Sequence, residues 1–306
     1  MALNNARAPC VERGVRTAAL LLVAACGRGE AVPPSPPSPS PSVVESDAVP
    51  SSALLPCPVE QPSLGPGLTV ERWPIDAVPA AGGPPCIDVL RADSTHFTLR
   101  ILSTGPDDPT PRNAQTWQQA FHATAITNAG MFHATGKPVG LIVADGSERS
   151  RDNTKMGGYL AWDPVDADAP PVTLIGRDCP GADLAALRRR YHSIVQSYRL
   201  LGCRGEALPW KDAKQYSSVA IGLDRAGRIV FLHARAAVTM TQLSAAVAAH
   251  DLTGALFLEG GPEASLVAAG PDGQLARVGS YETHFVENDG NHAFWDLPNV
   301  IALLAR

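Results

Sequence analysis

Thr253-Gly254-Ala255-Leu256-Phe257-Leu258 is a mostly apolar stretch of strand length, and it stops abruptly at Glu259-Gly260-Gly261-Pro262-Glu263-Ala264-Ser265-Leu266. A short apolar run bounded by turn formers reads as a buried strand, which commits the chain to a sheet-based domain. The acid-Gly-Gly sequence then puts a carboxylate at the carboxyl end of that strand, and the paired glycines let the backbone approach a ligand closely. On this reading Glu259, Glu263 and Ser265 converge on one small molecule. The alternative is a tight turn whose acids face water.

With 306 residues, 45% of them hydrophobic, the chain can bury a large core, and a formal net charge of -5 argues against a nucleic-acid partner. The first quarter stands apart from that core. Arg7, Arg13 and Arg16 precede a short apolar segment, Ala18 to Ala25, ending in Val23-Ala24-Ala25-Cys26. This is the layout of a secretory signal, and it is far shorter than the roughly 20 residues a spanning helix needs. Val-Ala-Ala-Cys also resembles a bacterial lipobox, which implies a lipid on Cys26. Ordinary cleavage after Ala25, leaving Cys26 free, is the other reading. Residues 27 to about 56 are rich in Pro and Ser, as in Pro33-Pro34-Ser35-Pro36-Pro37. They have little to bury and favour extended conformations, so a disordered, semi-rigid tether is expected. The organisation expected is a signal peptide over 1–25, a lipidated linker over 26–56 and one domain over 57–306. The protein is thus expected to be exported and anchored by lipid to a bacterial cell envelope.

Setting aside Cys10 and Cys26 leaves Cys57, Cys86, Cys179 and Cys203, an even number in an exported chain. Two disulfides are expected, with Cys57 to Cys86 and Cys179 to Cys203 favoured among three connectivities.

Strands are predicted at Ile87 to Arg91 and His96 to Leu102, joined through Asp93 and Ser94. Others are predicted at Ala123 to Thr127, Val139 to Ala144 and His192 to Tyr198. Asn113 to His122 and the basic stretch Ala182 to Tyr191 read as helices. Ser217 to Leu223 and Arg228 to His233 read as a hairpin across Asp224-Arg225-Ala226-Gly227. Thr239 or Thr241 then caps a helix running to about His250, with Leu243, Ala246 and Val247 on its buried face. The class expected is α+β, a single domain with a mixed sheet packed against helices.

Five strings recur in order: Asn128-Ala129-Gly130-Met131-Phe132, Pro138-Val139-Gly140-Leu141, Val195-Gln196-Ser197, Val219-Ala220-Ile221-Gly222-Leu223 and Leu256-Phe257-Leu258-Glu259-Gly260-Gly261. Together they closely resemble the phosphodiester glycosidase family, over about residues 95 to 270. The resemblance implies hydrolysis of a sugar-1-phosphodiester, which releases a free sugar and leaves a phosphomonoester on the other partner. It implies a glycosyl phosphodiester or glycan as substrate. The family's Asn falls on Asn128, with Gly130 and Phe132 shaping the same turn. Gln196, Ser197, Gly260, Gly261 and Ser265 fall on its substrate-binding stretches.

Glycosidic cleavage needs two carboxylates, or one and a substitute. Glu259 is the first candidate, and Glu263 or His133 the second. Asn128 and Ser265 can donate hydrogen bonds to phosphate or sugar oxygens. Three departures from the family pattern stand out: Glu259 where Asp is usual, Ser217 and Ser218 where an Arg is common, and Tyr198-Arg199 in place of Gly-Pro. Arg199 or Lys214 is the expected replacement for the missing positive charge. A catalytically silent envelope protein that binds carbohydrate or a protein partner is the competing function. The eight histidines show no His-Glu-x-x-His spacing, so no dedicated zinc site is expected. No cofactor is expected, and assistance by a divalent cation stays open. Glu287 to Asn291 reads as a hairpin turn at Asp289-Gly290.

Overall fold

The computed structural model describes residues 57–77, 85–106 and 108–306. The expected signal peptide, Cys26 and the expected linker lie outside the described residues. Among the described residues, sixteen strands and three α-helices follow in chain order. The amino-terminal strands are β1 (Ser63–Gly65), β2 (Leu68–Pro74), β3 (Cys86–Ala92) and β4 (Phe97–Ser103). Helix α1 (Ala114–Phe121) leads to β5 (Ala125–Asn128), β6 (Ile142–Ala144) and β7 (Ser147–Ser150). Next come β8 (Gly158–Pro164), β9 (Val172–Gly176), α2 (Leu184–Arg190) and β10 (Tyr191–Arg199). The carboxyl-terminal third holds β11 (Gln215–Asp224), β12 (Ile229–Thr239), α3 (Met240–Ala248) and β13 (Leu252–Gly260). It ends with β14 (Ser265–Gly270), β15 (Gly273–Val278) and β16 (Asn299–Ala305).

Two sheets result. The larger runs β1-β2-β3-β12-β11-β13-β10-β6-β7, with β8 and β9 attached through β10, and the smaller runs β15-β14-β5-β16-β4. Residues of both sheets, among them Leu90, Ile221, Leu256 and Leu258 against Leu99, Leu266, Ile301 and Leu303, share one core between them. Ala255 and Phe257 instead join Leu243 and Val247 of α3 in a second core on the other face of the large sheet. With both faces covered, β13 has no polar side to show between Gly254 and Leu258, hence the apolar run there.

The mixed sheet is corrected. Among the described residues every paired ladder is antiparallel, and the domain is sheet-dominated rather than an even mixture of helix and strand. The cause lies in the unit that suggested a parallel pair. β12, α3 and β13 form a crossover, but β11 lies between the two strands and pairs antiparallel with each. The crossover helix itself starts where expected. Thr239 accepts a hydrogen bond from the Gln242 backbone while the Gln242 side chain returns to the Thr239 N–H, a reciprocal cap.

β3 and β4, adjacent in sequence, are in different sheets, because β3 pairs with β2 and β12 whereas β4 pairs with β16. The turn at Asp289-Gly290 joins no paired strands; the tight turn there is Glu282 to Val286, closed by the Glu282 and Val286 N–H groups. Both expected disulfides are present, Cys57–Cys86 and Cys179–Cys203. No helix among the described residues is long and apolar enough to cross a membrane.

Candidate active site

The site is built at the end of β13. Between Phe257 and Glu259 this strand carries one more residue than β11 opposite it, a bulge of the kind that re-aims side chains. Phe257 and Glu259 both line a cavity of about 360 Å³, together with Met131, Tyr198, Trp210, Asp212, Tyr216, Met240, Gly260 and Glu282.

Glu259 is stripped of most of its water although its edge reaches the cavity. Burial pushes its carboxyl up to about 8, and Glu263 and Glu282 push the same way by repulsion. The backbone N–H groups of Gly260 and Phe132 donate to it and oppose the shift, the first at 3.1 Å. A carboxyl so placed keeps its proton at neutral pH and is fit to serve as a general acid.

The two glycines have separate reasons. Gly261 sits at φ +71, and a Cβ there would come within 2.5 Å of Glu282 Oε2 and 3.4 Å of Glu263 Oε2. Two carboxylates therefore close on one bare α-carbon. At Gly260 a Cβ would be 3.1 Å from the Tyr216 ring, so the glycine lets that ring lie on the strand end.

Glu282 comes from the loop after β15 and had no signal in the strand pattern. Ser217 holds that loop: its Oγ accepts from the N–H groups of Ser280 at 2.9 Å and Tyr281 at 3.0 Å and donates to the Arg235 carbonyl at 2.6 Å. The Ser217 N–H completes the clamp by donating to the Tyr281 carbonyl at 2.8 Å. Burial raises the Glu282 carboxyl, and the exposed Lys214 ammonium pulls it back. Burial likewise raises Glu263, with Glu282 adding to it.

Behind the acids, the loop is pinned by buried polar groups. Asn128 donates to the Glu263 carbonyl at 3.1 Å and accepts from the Ser265 N–H at 3.0 Å. The Ser265 hydroxyl donates to the same Glu263 carbonyl at 2.9 Å. His233, which no motif singled out, is wholly buried, and burial lowers it to about 4, so it is neutral and can donate from Nε2 to the Ala264 carbonyl at 3.2 Å.

The residues picked from the sequence thus separate. Glu259, Gly260, Gly261 and Glu263 gather at the cavity or directly against it. Asn128 and Ser265 are fully buried and shape the loop rather than face a ligand. Gln196 staples the 139–156 stretch, its Oε1 accepting from the Leu141 and Asn153 N–H groups and its Nε2 donating to the Asn153 and Met156 carbonyls. Ser197 bonds the Phe257 carbonyl across the sheet. Gly130, at φ +90, turns the chain after β5 and Phe132 packs its ring toward α1, while His133 is exposed in a turn closed on Lys137.

Arg199 is in a different place from the charge it was expected to supply. Its guanidinium lies on the Cys179–Cys203 disulfide and pairs with Asp178, in a cavity that does not include Glu259. Lys214 is the cation that acts on Glu282. Met131, Tyr198, Trp210, Asp212, Tyr216, Met240, Phe257 and Glu282 are the cavity residues that sequence reasoning did not assign to a site. Among the described residues, the one grouping of potential metal ligands within 4.8 Å is Asp178, Cys179 and Cys203, and its two cysteines are bonded to each other.

Carboxyl groups of shifted acidity, aromatic walls and a cavity at a bulged strand end mark a candidate small-molecule site. The chain belongs to the phosphodiester glycosidase family, whose sequence profile matches residues 121–304. Its fold is similar to the zebrafish N-acetylglucosamine-1-phosphodiester alpha-N-acetylglucosaminidase catalytic domain auto-inhibited by pro-peptide. The TM-score is 0.57 at 14% identity, with 81% of this chain and 87% of that one covered. A hypothetical protein from Synechocystis is similar at a TM-score of 0.52 and 14% identity, covering 78% of this chain and 62% of that one. At such identities these likenesses establish the fold alone. No curated protein matches the sequence.

Proposed function

We propose that this protein is a glycosidase that cleaves a glycosyl phosphodiester at the sugar C–O bond. Glu259, protonated at neutral pH, gives its proton to the departing phosphate oxygen. Glu282, kept nearer ionisation by Lys214, stabilises the oxocarbenium-like sugar or draws a proton from the attacking water. Glu263 stands behind Gly261 and adds repulsion at Glu259. The observation that carries this reading is the convergence of Glu259 and Glu282 on one aromatic-walled cavity in a chain of this family. Asn128, Ser265 and Gln196 act as positioning residues that hold the loops. The protein works outside the cytoplasm, anchored through Cys26. The signal-like leader and the two disulfides, which suit an oxidising compartment, support that placement.

One observation favours the competing reading of a silent binding protein: no arginine is among the residues lining the cavity. Both readings are tested by incubating the whole chain with a panel of sugar-1-phosphodiesters beside Glu259→Gln and Glu282→Gln. Free sugar released by the parent and lost in both variants is expected. Saturable binding without turnover in the parent would leave the protein a receptor.

A further inference from the structure

The cavity is charged against the ligand assigned to it. A phosphodiester is an anion, yet beside protonated Glu259 the cavity is lined by the carboxyl groups of Asp212 and Glu282, and no lysine or arginine lines it. Lys214 stands outside the lining, exposed. A ligand carrying only negative charge would meet repulsion on entry.

The walls have a chemistry of their own. Tyr198 and Trp210 meet edge to face, with ring centroids 5.6 Å apart and planes at 76°, and so make two sides of a corner. Trp210 is fixed there: its Nε1–H donates to Ser244 Oγ at 3.1 Å and its carbonyl accepts from Thr241 Oγ at 3.2 Å. With its polar handle engaged on α3, the indole is held as a wall of the cavity. Tyr216 closes a further side, and its hydroxyl donates to Asp212 Oδ2 at 3.3 Å, tying an aromatic wall to a carboxylate. Aromatic faces at right angles beside carboxylates are the surroundings that bind an ammonium group, through the ring quadrupole and the fixed charge together.

We propose that the cavity recognises its ligand through a cationic ammonium group, seated in the corner of Tyr198 and Trp210 and countered by Asp212 and Glu282. The inference rests on reading this cavity as the substrate site, and it narrows the substrate to a zwitterion whose positive charge offsets its phosphodiester. The ammonium has two sources, an amino sugar with a free amine or an alkylammonium on the aglycone. Burial is the main reason Glu259 and Glu263 are raised, and the repulsion from Glu282 that adds to it is a field a cation would relieve.

The test is titration calorimetry of the whole chain with choline, its neutral isostere 3,3-dimethylbutan-1-ol, glucosamine and N-acetylglucosamine. Binding of choline at least tenfold tighter than of the isostere supports an alkylammonium aglycone. Glucosamine at least tenfold tighter than N-acetylglucosamine supports the amino sugar. In either case Trp210→Leu and Asp212→Asn, the latter at an exposed position, each weaken the charged probe about tenfold. Equal affinity for charged and neutral partners, no binding of any probe, or binding indifferent to both variants overturns the inference. Failure of the hydrolase reading is distinguishable: ammonium binding without turnover sinks hydrolysis alone. Turnover of glycosyl phosphodiesters with and without an ammonium group at equal kcat/KM sinks the ammonium inference alone.

Discussion

Glu282 presents Oε2 to the bare face of Gly261, where a Cβ would lie 2.5 Å from that oxygen. The same Cβ would lie 3.4 Å from Glu263 Oε2, so one methyl group interferes with two acids. At φ +71 the substitution is strained as well. Gly261→Ala is expected to cost about 1–2 kcal/mol of stability from backbone conformation. It should also lower kcat by about 100-fold, since a carboxylate displaced by about 1 Å is out of reach of its proton. Thermal unfolding and steady-state kinetics on one preparation separate the two effects. A lowered Tm with kcat intact would show that Glu282 does not take part.

The acidity of Glu259 makes a pH prediction with a definite sign. Its folded-state value, about 8, lies above the 4.5 of the unfolded chain, so the folded protein holds this proton more tightly. The stabilising contribution is complete below about pH 4.5 and is lost as pH rises through about 8. Glu263 and Glu282 are raised too and act in the same sense. Tm measured from pH 5 to 9 should therefore fall more steeply in the parent than in Glu259→Gln. Turnover should decline above about pH 8 as the acid loses its proton. A Tm profile identical in the two proteins would contradict the buried acid.

How much of this was legible follows from where each residue gets its constraints. β13, the reciprocal cap at Thr239, the hairpin of β11 and β12 and both disulfides are local or compositional facts, and short-range chemistry wrote them into the sequence. Strand order is not local. A helix between two strands suggested a parallel neighbour, and only the insertion of β11 between β12 and β13 makes the sheet antiparallel. Glu259 was legible because it ends an apolar run. Glu282 was not, because its position depends on Ser217, 63 residues before the Ser280 N–H that it holds. The substitution that seemed to remove a needed charge, Ser217 for an arginine, in this chain supplies the anchor of the second acid.

That anchor gives the next expectation. Ser217→Ala leaves the Ser280 and Tyr281 N–H groups without their acceptor, a loss of about 1–3 kcal/mol for a buried pair. The loop bearing Glu282 should loosen, so kcat falls while β11 stays paired. Asn128→Ala should act on the opposite side of the site, freeing the Glu263 to Ser265 turn. Hydrogen exchange reads out the difference, with faster exchange at residues 280 and 281 in the first variant and at 265 in the second. Uniform exchange across both loops would assign these residues to global stability only.

Arg199 and Lys214 complete the set, because they were alternatives for the same charge and the structure separates them. Arg199 fits where glycines leave room: a Cβ on Gly158 would come within 2.7 Å of its Cγ, and it covers the Cys179–Cys203 bond. Removing it should open a gap under that disulfide and lower Tm, while affinity for a sugar phosphate at the Glu259 cavity stays as it was. Lys214→Ala should do the reverse. It is exposed, so Tm barely moves, but without its ammonium the Glu282 carboxyl rises further and the alkaline shift appears on the acid limb of the kcat/KM profile. Calorimetric binding with both variants checks the pair. A loss of affinity in Arg199→Ala with none in Lys214→Ala would move the anion-facing side of the site to the disulfide cavity.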